Sequence, residues 1–132
     1  MSRYHSRFWS VELPAGWVGE RQDGGDALYR PEGFGALHVS AIPQEQTADD
    51  GLLQYLAAEH IEAGARTYPV RFGPFSGFTL SYGAADGFWA EWYLRAGLLV
   101  LFVSYNCAPE HEALEDEVVE SILATLTSSA TT

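Results

Sequence analysis

The chain has a single cysteine, Cys107, so no intramolecular disulfide can form. Its four histidines, His5, His38, His60 and His111, stand at no zinc-ligand spacing, so no metal or other cofactor is expected. Basic side chains are scarce as well, 7 against 18 acidic ones for a net charge of -11. Nucleic-acid binding depends on Lys and Arg neutralising phosphates, and anionic membrane surfaces attract the same residues, so neither is an expected partner. The longest apolar run, Leu98 to Val103, is far too short to span a bilayer, and Met1 to Arg7 is polar, with no apolar stretch of a signal peptide. A cytoplasmic location is the resulting expectation. Asp23-Gly24-Gly25-Asp26 lacks the spacing and terminal Glu of a calcium loop, and there is no phosphate-cradling glycine motif.

What is present is core-forming material. Hydrophobic residues make up 47% of the 132, and aromatics 14%. That content and length fit one soluble domain, residues 1–132, with a single core, and no linker, repeat or low-complexity stretch divides it. The acidic excess would welcome a basic protein patch or a cationic ligand, although acidity also serves solubility alone.

Phe8 to Glu12 reads as a strand that turns through Leu13-Pro14-Ala15-Gly16-Trp17 into a second at Val18 to Arg21, a hairpin. Further strands are expected at Ala27 to Arg30 and Ala36 to Ile42; in the latter Leu37, Val39 and Ala41 alternate with His38 and Ser40. Pro43 closes that segment. Thr47 and Asp50 resemble a capping box opening a helix over Ala48 to Ala63, with Leu52, Leu53, Leu56, Ala57, His60 and Ile61 on one stripe and Gly64 as its stop.

Four strands follow, Thr67 to Phe72, Phe75 to Tyr82, Phe88 to Arg95 and Leu98 to Tyr105, with separators too short for anything but an antiparallel meander. Leu98 to Val103 is apolar without alternation, which predicts a central strand covered on both faces. A last helix is expected from Pro109 to Leu126, with Leu114, Val118, Val119, Ile122, Leu123 and Leu126 as its stripe and Ser128 to Thr132 a frayed tail. The predicted class is α+β, one antiparallel sheet flanked by helices on both faces, an α/β/α sandwich.

This element order resembles the Mog1/PsbP-like group. The resemblance is carried by Phe8 leading to Leu13-Pro14-Ala15-Gly16-Trp17, by Gly73-Pro74-Phe75-Ser76-Gly77-Phe78 opening a meander strand, by Trp92-Tyr93-Leu94 before the turn at Gly97, and by Tyr105-Asn106 before the last helix. None of these motifs is catalytic. Members of that group include a binder of the small GTPase Ran, extrinsic photosystem II subunits and bacterial adaptors or chaperones for secreted toxins. The resemblance thus implies a non-enzymatic binding or accessory role, and no Ran-contact residues map onto this sequence.

Candidate chemistry is thin. His60 lies on an apolar stripe, where a half-buried core imidazole is the commoner explanation, and His38 is placed to pair with a carboxylate such as Glu91 if the strand order permits. Cys107 and His111, four apart, invite a thiolate–imidazole reading that lacks any orienting third residue; a buried inert thiol is the simpler account. Glu110, Glu112, Glu115, Asp116, Glu117 and Glu120 read as the solvated side of the last helix. Along Phe88 to Arg95 the residues Phe88, Ala90, Trp92 and Leu94 face the core, and Trp89, Glu91, Tyr93 and Arg95 face the other way, as a helix-covered sheet face or an interface patch.

Two functions are expected from this. One is a non-catalytic protein-binding domain of adaptor, secretion-chaperone or toxin-immunity type, meeting a basic partner through Trp89, Glu91, Tyr93 and Arg95 and through Glu110, Glu112 and Glu115. The alternative is a small-molecule-binding domain or minor enzyme with a pocket on the sheet face lined by His38, Trp89, Glu91 and Tyr93.

Overall fold

A computed structural model describes residues 1–129. In chain order the elements are β1 (Ser2–His5), β2 (Trp9–Leu13), β3 (Val18–Gln22), β4 (Gly25–Tyr29), β5 (Gly35–Pro43), α1 (Asp50–Leu56), α2 (Ala58–Glu62), β6 (Tyr68–Phe72), β7 (Phe75–Ala84), β8 (Gly87–Ala96), β9 (Leu99–Cys107), a single 3-10 turn at Pro109–His111, α3 (Asp116–Leu123) and β10 (Thr127–Ser128). Seven strands form one antiparallel sheet in the order β3-β4-β5-β9-β8-β7-β6, and β1-β2-β10 form a second, three-stranded one. The structure is α+β and mostly antiparallel sheet.

The meander from β6 to β9 follows from its separators. Gly73 and Gly97 take φ of 57° each, a left-handed conformation that glycine adopts without a Cβ clash, and so close two tight turns. β9 is the fourth of the seven strands, with β5 on one side and β8 on the other. Its residues alternate between two cores. Leu99, Leu101, Val103, Tyr105 and Cys107 pack with Trp9, Val11 and Leu13 of β2 and with Val119, Ile122 and Leu123 of α3. Val100 packs with Leu53 of α1, Ala57, Leu80 and Tyr93, and Phe102 lies against the same cluster. An unbroken apolar strand is what a strand between two cores requires.

Three expectations need correction. The first concerns the single sheet. β2 does not form a hairpin with β3; it pairs with β1, Tyr4 opposite Val11, and with β10, Thr127 opposite Ser10. Trp9, Ser10 and Val11 are all buried, so β2 is enclosed on both faces, and the turn at Pro14 to Trp17 carries the chain from the small sheet to the large one. β1 itself is polar and lacks the apolar alternation by which strands are recognised. β10 also occupies Thr127–Ser128, where a frayed tail was expected; residues 130–132 of that tail lie outside the described residues.

The second correction is to the first helix, which is two short ones broken at Ala57, whose φ of -95° and ψ of 7° leave the helical region. Its cap is Asp49 rather than Thr47, with the Asp49 carboxylate accepting from the Leu52 amide at 2.9 Å. The last helix is likewise shorter than expected. Ala113 has φ of 73°, which separates the 3-10 turn from α3 and leaves Leu114 59% exposed instead of on the apolar stripe.

Candidate functional site

Glu91 is 5% exposed, on the sheet face that α1 and α2 cover. A carboxylate taken out of water needs donors, and two come from tyrosines on the same face. The Tyr93 hydroxyl, two residues along β8, donates to Glu91 Oε1 at 2.6 Å, and the Tyr82 hydroxyl on β7 donates to Oε2 at 2.7 Å. Burial raises the pKa of both phenols, and hydrogen bonding to Glu91 raises it further, so both hold their protons. His60 approaches from α2, its Nε2 3.4 Å from Glu91 Oε1 and its ring stacked on Tyr82 with centroids 4.3 Å apart. His60 lies one turn after Ala57, the buried residue at which α1 gives way to α2.

A hollow of about 370 Å³ opens above this cluster, lined by Ser40, Ile42, Leu56, His60, Glu91, Tyr93 and Phe102. Most of its walls are apolar or aromatic, and the Tyr93 ring tilts against Phe102 at 5.2 Å. Binding hollows commonly have this pattern of apolar walls around a few polar groups, at volumes of roughly 300–1,000 Å³.

The strand register places Trp89, Glu91, Tyr93 and Arg95 on one face, as their alternation requires. They differ in fate. Glu91 and Tyr93 are buried, the Trp89 indole donates to Asp86 at 3.0 Å, and Arg95 pairs with Asp50 at 2.9 Å on the first turn of α1. That pairing holds the Asp50 carboxyl below the usual carboxylate range. His38 does not pair with Glu91. β9 lies between their strands, with Ser104 opposite both His38 and Glu91, so His38 lies two strands away, about 10 Å.

The acidic residues after β9 are not gathered with this set. Glu115 hydrogen-bonds Tyr105, which faces the α3 core, whereas Glu91 faces α1 and α2; the two groups belong to opposite faces of the large sheet. Glu110 and Glu112 are exposed, but Glu115 is 4% exposed and not part of any solvated face. Its Oε1 accepts from the Tyr105 hydroxyl at 2.6 Å and the Gly35 amide at 3.0 Å, while Oε2 is buried without a partner. A Cβ on Gly33 would stand 2.7 Å from that oxygen, so the glycine makes room for the carboxylate. Burial raises the pKa of the Cys107 thiol, and the His111 ring packs on Phe34 instead, with centroids 4.6 Å apart. The thiolate–imidazole reading therefore fails on geometry.

Tyr82, Ser40, Ile42, Leu56 and Phe102 were not expected at the site from the sequence, although Ser40 and Leu56 were read as strand and helix positions. The hairpin around Gly83 to Gly87 held the signal for Tyr82, since tight pairing sets it opposite Trp89 and diagonal to Glu91.

Among the described residues no helix is long and apolar enough to cross a membrane. No family model and no curated protein matches the chain. Solved structures that share its shape include the following two. A crystal structure of a protein from Bacteroides thetaiotaomicron VPI-5482 superposes with a TM-score of 0.64 at 16% identity, over 92% of this chain and 45% of that one, so the chain spans less than half of that protein. The solution structure of cyanobacterial PsbP (CyanoP) from Synechocystis sp. PCC 6803 gives a TM-score of 0.65 at 10% identity, over 96% of this chain and 91% of that one. At such identities the likeness is one of fold, and it gives this chain the Mog1/PsbP-like fold that its element order resembled.

Proposed function

We propose that this chain is a non-catalytic binding domain that engages another protein through the sheet face covered by α1 and α2, with the Glu91 hollow at its centre. The observation that carries this reading is the Glu91 carboxylate, buried, fixed by two tyrosine hydroxyls, and open to a hollow rather than sealed in the core. Around it the α1–α2 segment keeps apolar side chains in water. Tyr55 is 78% exposed, Leu56 41% and Ile61 36%, and Ile42 on β5 is 37% exposed. Apolar side chains left in water around a polar centre are a common feature of protein-binding surfaces.

The net charge of -11 supports a basic partner, with exposed Glu110 and Glu112 contributing to long-range attraction rather than to the contact itself. A cytoplasmic setting belongs to the same proposal and rests on the free, buried Cys107.

The test is affinity capture on immobilised wild type, Leu56→Glu and Glu91→Gln, with a salt series. A protein retained by wild type, lost from both variants and held less well as salt rises supports the reading. Equal retention on all three overturns it. The small-molecule alternative is favoured instead if only a low-mass ligand co-purifies and is lost with Glu91→Gln.

A further inference from the structure

We infer that the Glu91 hollow recognises an extended cationic group, the ammonium or guanidinium of a lysine or arginine side chain presented by the partner. The inference rests on the binding reading above and adds the chemistry of what enters.

Among the described residues no lysine or arginine pairs with the Glu91 carboxylate. Its two closest donors are neutral phenols, which stabilise a carboxylate without removing its charge. His60 at 3.4 Å is the single side chain within ion-pair distance of it among the described residues, and Arg95, the arginine of the same strand face, is already engaged by Asp50. A carboxylate has about four lone-pair sites, and Tyr82, Tyr93 and His60 use three at most.

The walls select the rest of the ligand. Ile42 and Leu56 stand at the hollow and remain part-exposed, which suits an aliphatic stem passing inward. Tyr93 and Phe102 add aromatic surface to the wall, and aromatic rings attract cations. An anionic group would be repelled by Glu91, and a purely apolar one would shut the carboxylate away from water with nothing to replace it. A cation on an apolar stem satisfies both the base and the walls. Arginine and lysine are the protein side chains of that form.

The experiment is an NMR titration of the 15N-labelled chain with n-butylammonium and n-butylguanidinium, using n-butanol and butyrate as controls. The expected result is saturable shift changes centred on Ser40, Leu56, His60, Glu91 and Phe102 with either cation, and much smaller ones with butanol or butyrate. Glu91→Gln should weaken cation binding by roughly tenfold or more, because the carbonyl that remains has no charge. Leu56→Trp, at a part-exposed position, tests the hollow without touching the carboxylate and should block both cations. Shifts as large with butanol as with the cations, or cation shifts that survive both variants, would overturn the inference. The titration needs no protein partner. Cation binding in the hollow with no protein captured would therefore remove the protein-binding reading alone, and a captured protein with a hollow that ignores cations would remove this inference alone.

Discussion

The Tyr93 hydroxyl reaches Glu91 Oε1 at 2.6 Å from two residues further along the same strand. Residues two apart on a strand share a face, so this contact requires no tertiary folding beyond the strand itself. Tyr82 completes the pair from the neighbouring strand at 2.7 Å. Tyr93→Phe and Tyr82→Phe should each lower stability by about 1–3 kcal/mol, since each leaves a buried carboxylate short of one donor. The double variant should cost less than the sum or more than it, not the sum, because both hydroxyls serve one carboxylate. Urea denaturation of the four proteins of that cycle measures the coupling, and strict additivity would mean that Glu91 rearranges to compensate.

Alkaline pH should weaken the fold in a defined direction. Burial, with hydrogen bonding to Asp26, pushes the Tyr4 phenol up to about 12. Tyr82 and Tyr93 are raised by burial and by Glu91, and Tyr105 by burial and by Glu115. A folded pKa above the unfolded value of about 10 means that, beyond that pH, the unfolded chain binds fewer protons than the native one, so stability falls as pH rises. The contribution is complete below about pH 10 and lost progressively above it. Phenolate absorbance and circular dichroism followed together from pH 9 to 13 should show these four phenols ionising with unfolding rather than before it.

Glu112 and Glu115 are three residues apart and should differ sharply in their response to substitution. Glu112 is exposed, and Glu112→Gln should change stability by no more than about 0.5 kcal/mol. Glu115→Ala removes the acceptor for the Tyr105 hydroxyl and the Gly35 amide and should cost about 2–4 kcal/mol. Thermal unfolding separates the two. A Glu115→Ala variant as stable as Glu112→Gln would show that the buried carboxylate oxygen without a partner already cancels what the other one gains.

The large sheet was legible because its signals are local: glycine-closed turns, alternation in β5 and an unbroken apolar run in β9. β1 was missed because Ser-Arg-Tyr-His carries no hydrophobic period, and β2 was assigned the wrong partner because a Pro-Gly turn looks the same whether the chain pairs back or crosses to another sheet. Glu91, Tyr93 and His60 were visible as residues. Their convergence was not, because it depends on which strand of the sheet α2 packs against, a tertiary contact that the helix stripe does not specify. Glu115 was misplaced for a related reason: a helix drawn through Ala113 puts it among its solvent-facing neighbours, whereas a left-handed residue there ends the 3-10 turn and α3 starts only at Asp116, so Glu115 is free to turn inward.

The α1–α2 segment should open before the sheet does. α1 and α2 span seven and five residues, lengths at which helices have little stability of their own in water, so they depend on Leu53 and Ala57 in the core, on the cap and on the sheet contacts. The cap is one hydrogen bond, from the Leu52 amide to Asp49 Oδ1, and Arg95 to Asp50 is an exposed pair that adds little. Asp49→Ala should therefore cost about 1 kcal/mol, and most of it should fall on local opening rather than on global unfolding. Amide hydrogen exchange resolved by residue is the measurement. Residues 53 to 64 should exchange roughly fivefold faster in the variant, that being about 1 kcal/mol at 25 °C, with Leu101 and Val103 of β9 showing a smaller change. Leu56 and His60 form one side of the hollow, and because apparent affinity follows the closed fraction, binding there should stay nearly unchanged as long as the open form remains a small minority. Equal acceleration in α1 and β9 would instead mean that the segment unfolds with the sheet as one unit, and that the hollow is as rigid as the core beneath it.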